Sequence, residues 1–376
     1  MVRVTDVKYG ELDLSKTFRV DAEVFAEFSR RYKPSRGDII ITRVGTYGVF
    51  GKVLDTNFCL GQNTAAIIPK TIAPDYLYAV LNSDFVKSQI ESSVVGSTQK
   101  TLSLKAIKAL QIPRFRPSQE LVIGSLGATF DDRITILRET NTTLEAIAQA
   151  LFKSWFEDFD PVHAKMQGRT PEGMDEATAA LFPESFEESE LGAVPKGWHI
   201  GRLDDLLVLQ RGFDLPAQDR TVGDFPIIAA SGPSGTHHKS MVKGPGVVTG
   251  RSGVLGKVFF ELEDFWPLNT TLWVKQFKAA TPCYAYEVLR LLDFKSFNAG
   301  SAVPSLNRNH IHSLPYLLPA RECVDTFEVI ASQIHKRCRV NEKQIQTLVD
   351  IRVALLPRLI SGQLRIPVTR TEMESV

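Results

Sequence analysis

Four cations fall within seven residues at Arg30-Arg31-Tyr32-Lys33-Pro34-Ser35-Arg36, the densest basic run in the chain. Such a run fits either a solvated surface or a set of contacts to a polyphosphate backbone, where each Lys or Arg displaces condensed counterions. Two glycine loops, Gly45–Gly48 and Gly250–Gly253, each have an arginine beside them, Arg43 and Arg251. A glycine loop can be a tight turn that needs positive φ, or a place where backbone comes close to phosphate, and one loop can serve both. Two similar polar loops, GSTQKT (96–101) and GSAVPSLNRNH (300–310), carry Gln99, Lys100, Asn307 and Arg308. Gln, Asn, Lys and Arg are the types that read base edges, although an ordinary capped loop uses them too. Lys239 completes the basic candidates; its stretch SGPSGTHHKS (231–240) does not satisfy GxxxxGK[ST] and is no phosphate-binding loop.

Other chemistry is poorly supported. His237, His238, His310 and His312 have no acidic or cysteine partner at ligand spacing, so no metal is expected. There is no Asn-Pro-Pro-Tyr-type methyltransferase motif, no Walker A sequence and no convincing nucleophile–base or paired-carboxylate arrangement. The expectation is a protein without catalysis and without a cofactor. Cys59, Cys283, Cys323 and Cys338 form no CxxC pair, which fits buried thiols in a reducing cytoplasm. No run approaches the roughly 18 apolar residues of a membrane span, and the opening MVRVTDVKYGELDL does not read as a signal peptide.

The elements that must position these residues come in duplicate. The total charge of +1 hides a pattern. Residues 1–116 carry 17 Lys and Arg against 11 Asp and Glu, residues 117–190 carry 5 against 15, and residues 191–320 carry 13 against 10. Two basic blocks flank an acidic one, and local charge of this kind steers a polyanion. Gly51-Lys52-Val53 recurs as Gly256-Lys257-Val258, Asn63-Thr64 as Asn269-Thr270, PDYLYAVL (74–81) as PCYAYEVL (282–289), and Gly96-Ser97 as Gly300-Ser301. Four matches in the same order make this an internal duplication. Each copy begins with short strands broken by turns and a short helix, and ends in a long helix. Apolar or small residues at 123, 126, 130, 134, 137, 144, 148, 151 and 155, with Asn141 in the series, form a heptad seam. Its counterpart is 327, 330, 334, 338, 341, 348, 355 and 359, with Arg352 the exception. Asn141 and Asn341 then read as register-setting polar residues that face each other in an antiparallel pair. Pro357 is expected to kink or end the second helix.

LFKSWFEDFDPV (151–162), ELGAVPKGWHIGRLDDLL (190–207) and ALLPRLISGQL (354–364) resemble the conserved regions of type I restriction–modification specificity subunits. GDIIITRVGTYGVFGKV (37–53) and GPGVVTGRSGVLGKV (244–258) resemble that family's strand–glycine loop–strand element. The resemblance implies an α+β protein with two mixed target-recognition domains separated by two long helices forming an antiparallel coiled coil. It implies that the chain reads a bipartite double-stranded DNA site and docks two methyltransferase subunits and the restriction subunits, which carry the chemistry. The expected divisions are recognition domain 1 at 1–116, a spacer helix at 117–160, an acidic linker at 161–190, recognition domain 2 at 191–319, a second spacer helix at 320–361 and a tail at 362–376. One departure stands out. WHIGRLDDLLVLQRGF (198–213) has no evident counterpart near the N-terminus, so the first recognition domain is expected to be shortened there. Two rival readings are a truncated, inactive specificity subunit and a coiled-coil interaction protein that does not bind DNA.

Overall fold

Four consecutive branched or β-favouring residues, Ile39-Ile40-Ile41-Thr42, make a strand whose members are all buried. Successive side chains of a strand point to opposite faces. Ile39 and Ile41 accordingly enter one core with Tyr76, Leu77 and Val80, while Ile40 enters another with Val2, Val7, Val53 and Phe58. The computed structural model describes residues 1–96, 100–294, 296–297 and 305–366. Contacts divide the chain into two units, residues 1–138 with 343–376, and residues 139–342.

The first unit contains β1 (Gly10–Glu11), α1 (Ala22–Ser29), β2 (Ile39–Thr42), β3 (Phe50–Lys52), β4 (Thr64–Ile67), α2 (Pro74–Leu81), α3 (Asp84–Ser93) and α4 (Leu104–Lys108). Its sheet runs β1-β3-β2-β4, with β2 antiparallel to both neighbours and β1 parallel to β3. Helix α5 (Pro117–Phe156) begins here. Glu120 in its first turn is buried, accepts from the Phe115 amide at 3.1 Å and pairs with Arg114 at 2.6 Å. A carboxylate at this position complements the helix N-terminus.

The second unit holds α6 (Asp160–Met166), α7 (Glu176–Ala180) and the hairpin β5 (Phe186–Ser189)–β6 (Gly192–Pro195). The acidic stretch 161–190 is therefore folded: Val162, Ala164 and Phe182 are buried while Glu184, Glu187 and Glu188 stay exposed. Next come β7 (His199–Arg202), α8 (Leu203–Leu206), β8 (Leu207–Arg211), β9 (Phe225–Ala229), β10 (Gly232–His237), β11 (Gly246–Gly250), β12 (Val258–Glu261), β13 (Trp266–Pro267) and β14 (Thr271–Phe277). The unit continues with α9 (Pro282–Leu291), α10 (Arg308–His312), β15 (Pro315–Leu318) and the start of α11 (Arg321–Ile360). Its main sheet runs β12-β11-β14-β8, with β10-β9-β13 and β15-β7 as separate small sheets. Strand β11 repeats the behaviour of β2: Val247 enters the large aromatic core and Val248 a different one.

The two long helices, 40 residues each, meet antiparallel in both units. In the second unit Asn341 Nδ2 donates to Asn141 Oδ1 at 2.7 Å, and Asn141 Nδ2 donates to the Cys338 carbonyl at 3.1 Å. In the first unit Arg352 pairs with Asp131, and Gly127 lies against Leu356. Arg352 occupies its seam position because it has a carboxylate on the facing helix and the Tyr9 ring at 5.0 Å. Ile330 is a correction: it is 39% exposed, and Ala331 takes the buried place beside Phe327. A real helix drifts against a strict 3.5-residue repeat, so the seam shifts by one residue there. Helix α11 also runs through Pro357 to Ile360. The proline sits in the last turn, where its missing N–H removes a single helical bond, and Gly362 at φ +76° then ends the run.

Comparing the two sheets shows what the first unit lacks. Strands β2, β3 and β4 correspond to β11, β12 and β14, yet β14 has β8 along its outer edge and β4 has no strand there among the described residues. Val2 forms a parallel bridge with Leu60 and donates to the Cys59 carbonyl at 2.9 Å. Phe213 does the same with Leu268 and the Pro267 carbonyl, at 2.8 Å. Val2 thus stands where Phe213 stands in the other unit, and none of the described residues supplies an equivalent of β7, α8 or β8.

Candidate nucleic-acid interface

In the first unit the chain leaves β2 at Thr42 and enters the glycine loop. Gly45 (φ +74°) and Gly48 (φ +72°) adopt the left-handed conformation that glycine reaches without a steric cost. The Gly48 amide donates to the Thr42 carbonyl at 2.9 Å, and the Val49 amide donates to Thr42 Oγ1 at 3.0 Å, closing the turn. Arg43 anchors it from below. Its amide donates to the Asn63 carbonyl at 2.8 Å, its carbonyl accepts from Leu102 at 2.8 Å, and its Nε donates to the Leu102 carbonyl at 3.1 Å. Residues 100–102 are thereby drawn to the turn. Gly45 donates to the Lys100 carbonyl at 3.3 Å, Val44 pairs with Thr101, and Lys100 Nζ lies 3.4 Å from the Tyr47 hydroxyl and 5.8 Å from the ring centre. Tyr47 in turn donates to Glu91 at 3.0 Å.

The second unit builds a similar arrangement. The Arg251 amide donates to the Thr270 carbonyl at 2.8 Å, the Arg251 carbonyl accepts from Leu306 at 2.9 Å, and Arg251 Nη1 donates to the Asn269 carbonyl at 3.3 Å. Gly253 (φ +86°) and Gly256 (φ +84°) take the left-handed positions. Gly250 is glycine for a different reason: a Cβ there would lie 1.9 Å from the Val254 carbonyl oxygen. Ser252 bridges Ser305, which brings Asn307 and Arg308 to the turn. Asn307 caps α10 by accepting from Asn309 at 3.0 Å, and Arg308 opens that helix, exposed.

These bonds sort the sequence candidates. Arg43 and Arg251 direct guanidinium groups at backbone carbonyls and brace the turns. Lys100 and Arg308 project beside the turns, and Asn307 keeps its amide nitrogen beyond the cap. Gln99 lies outside the described residues. Arg30, Arg31, Lys33 and Arg36 are exposed but precede β2, whereas Arg43 follows it. The four residues of β2 lie between them and span about 13 Å, so the basic run and the glycine turn occupy opposite ends of that strand. Tyr32 and Ser35 hold the basic run in place through the buried Asp38, at 2.7 and 2.9 Å. Lys239 is likewise exposed and precedes β11, whereas Arg251 follows it. The histidines have packing roles: His237 lies against Trp266 at 5.2 Å, and His312 Nε2 accepts from the Leu209 amide at 2.9 Å. Sequence reasoning did not single out Tyr47 and Glu91, which hold Lys100; an aromatic residue inside the glycine turn was the available signal.

Residues 15–146 match the family model described as the type I restriction modification DNA specificity domain. Over most of its length the chain also aligns with curated members. The MjaIX specificity subunit of Methanocaldococcus jannaschii is 24% identical over 376 residues, covering 90% of this chain and 80% of that one. This chain is similar to type I restriction–modification specificity subunits over most of its length. The HindI specificity subunit of Haemophilus influenzae is similar as well, 24% identical over 411 residues, covering 88% of this chain and 87% of that one. Among solved structures, the type I restriction–modification S subunit from M. genitalium shares the fold, with a TM-score of 0.57 and 17% identity over 92% of this chain and 93% of that one. The α+β architecture with two long helices is similar to that of this solved S subunit.

Proposed function

We propose that this chain is a type I specificity subunit that reads a bipartite double-stranded DNA site, one half with each unit, and itself performs no catalysis. Two methyltransferase subunits and the restriction subunits, docked on it in the cytoplasm, supply methyl transfer and cleavage. The observation that carries this reading is the repeated turn: an arginine-braced glycine loop with a polar loop hydrogen-bonded to its side, built in both units in similar form. Rigid turns aim Lys100 in one unit and Asn307 and Arg308 in the other, and polar side chains so held can combine phosphate contacts with base-edge contacts. The basic run at Arg30, Arg31, Lys33 and Arg36, with Lys239 in the second unit, would contribute phosphate contacts at the far strand ends. Asn141 and Asn341 would fix the helix register and with it the spacing of the half-sites.

Strand β4 has no outer neighbour among the described residues, which favours a second reading, in which only the second unit reads DNA. Mapping methylated adenines in the source genome with and without this gene separates the two. A bipartite motif that disappears on deletion supports the proposal, a single half-site motif supports the second reading, and an unchanged methylome rejects both.

A further inference from the structure

We infer that Lys100, Tyr47 and Glu91 form a reader for one G·C base pair in the half-site of the first unit, with Lys100 on the guanine, Glu91 on the cytosine and the Tyr47 hydroxyl fixed between them. The inference rests on the proposed reading of DNA and adds a base identity to it.

The three side chains reach one corner from three segments. Tyr47 stands in the turn between β2 and β3, its ring half-buried against the core of the first unit. Glu91 comes from the last turn of α3. Lys100 is held by its backbone, its carbonyl accepting from Gly45 at 3.3 Å while the next residue, Thr101, bridges Val44 and Val95. Tyr47 donates to Glu91 at 3.0 Å and accepts from Lys100 Nζ at 3.4 Å. A hydroxyl has one proton and two lone pairs, so giving the proton to the carboxylate leaves only acceptor capacity for the ammonium. A cation and a carboxylate, both exposed, thus flank one fixed oxygen. The ammonium keeps two further donors and the carboxylate keeps free lone pairs.

This pairing suits a base edge better than a phosphate. A cation aimed at the backbone gains nothing from a carboxylate on its flank, because the carboxylate repels the phosphate. In the major groove, G·C presents two adjacent acceptors, guanine N7 and O6, and then the cytosine N4 amino donor. A·T presents an acceptor, a donor and an acceptor, followed by the thymine methyl. Two ammonium donors beside a carboxylate match the first series and not the second.

The reader is particular to the first unit. Val44 and Ser252 hold corresponding places, each bridging its polar loop ahead of Gly45 or Gly253. From Arg43 to Val53 the chain has eleven residues, and from Arg251 to Val258 it has eight. Tyr47 lies in the extra length, so the two half-sites are read by different chemistry.

The test replaces the gene in the source genome with Tyr47→Phe, Glu91→Ala or Lys100→Gln and maps methylated adenines. The parent motif should hold a G·C pair at a fixed position of one half-site, and all three variants should relax that position. Methylation of sites with another pair there should rise at least about fivefold, the low end for a bidentate base contact, while the other half-site holds. Lys100→Gln should favour A·T, because glutamine matches adenine N6 and N7. Tyr47→Phe keeps the ring and removes only the hydroxyl, so a changed base identity marks a positioning role that lost packing would not produce. The purified variant chains should keep the far-UV circular dichroism of the parent. Folded variants that lose methylation evenly, or that relax a pair other than G·C, overturn the inference and leave the DNA reading standing. A parent motif confined to one half-site overturns it together with the bipartite reading, and a methylome unchanged by deletion of the gene overturns the DNA reading and the inference with it.

Discussion

Asn341 is fully buried, and its Oδ1 has no hydrogen-bond partner among the described residues, while its Nδ2 serves Asn141. A polar pair in an apolar seam lowers stability yet penalises every other register, since any slip leaves both amides unpaired. Asn341→Ala, which strands the Asn141 acceptor, should cost about 1–3 kcal/mol in urea unfolding. Asn141→Leu/Asn341→Leu should recover that loss or exceed the parent, and a double variant weaker than the single one would remove the register role. Glu261 makes a second residue-scale case. Burial pushes its carboxyl up from 4.5 to about 7, against the attraction of Arg339 and with the repulsion of Glu342 and Glu263. Glu145 and His335 face the same cavity, and burial lowers His335 to about 4. A carboxyl whose folded pKa is raised stabilises fully below 4.5 and loses that contribution as pH rises through 7. His335 works in the opposite direction, its contribution being present above 6.5 and lost towards 4. Comparison with Glu261→Gln isolates the carboxylate: the two proteins should melt alike near pH 4.5, with the variant melting higher above pH 7. Parallel melting curves across that range would contradict the assignment.

At the scale of elements, pattern and geometry meet in the long helices. On the first helix the seam residues Ile123, Ile134, Leu137, Ala148 and Trp155 are buried, in keeping with their heptad spacing. Arg352 is the one charged intruder, and tertiary contacts explain it: it pairs with Asp131, donates to the Tyr9 hydroxyl at 2.9 Å, and stacks on that ring. The pair is mostly buried, at 19% and 11% side-chain exposure. Arg352→Ala should therefore cost roughly 1–3 kcal/mol by chemical denaturation, more than an exposed pair contributes, because Asp131 is left without its cation. Arg352→Ala/Asp131→Ala should restore part of the loss, and a purely additive double variant would show that the two do not act together.

At the scale of the whole molecule, the second unit is one continuous stretch, residues 139–342, whereas the first is assembled from both ends of the chain. The continuous unit carries its own aromatic core around Phe152, Trp155, Phe156, Trp198, Tyr284 and Phe327. A fragment of residues 139–342 should fold alone, giving a single cooperative urea transition and near-ultraviolet circular dichroism from packed Trp155 and Trp198. A fragment of residues 1–138 lacks Leu356, Leu359 and Ile360, which complete its core. It should show weak tertiary signal until residues 343–376 are restored.

Much of this organisation was legible in the residues themselves. The duplication, the two long helices, the facing asparagines and the glycine turns all follow from local pattern, because hydrophobic period and backbone preference act over a few neighbours. Gly45 and Gly48 announced a turn by their type, and Asn141 and Asn341 announced their pairing by equivalent positions. Other features depend on contacts between residues far apart in the chain. Only the folded structure turned Arg43 and Arg251 into braces, sent the Arg30–Arg36 run to the other end of β2, and gave Arg352 its carboxylate. It alone gave structure to the acidic stretch 161–190 and left β4 without an outer neighbour among the described residues. Which side chain satisfies which carbonyl, and which strand lacks a neighbour, is set by long-range packing that no window of sequence contains.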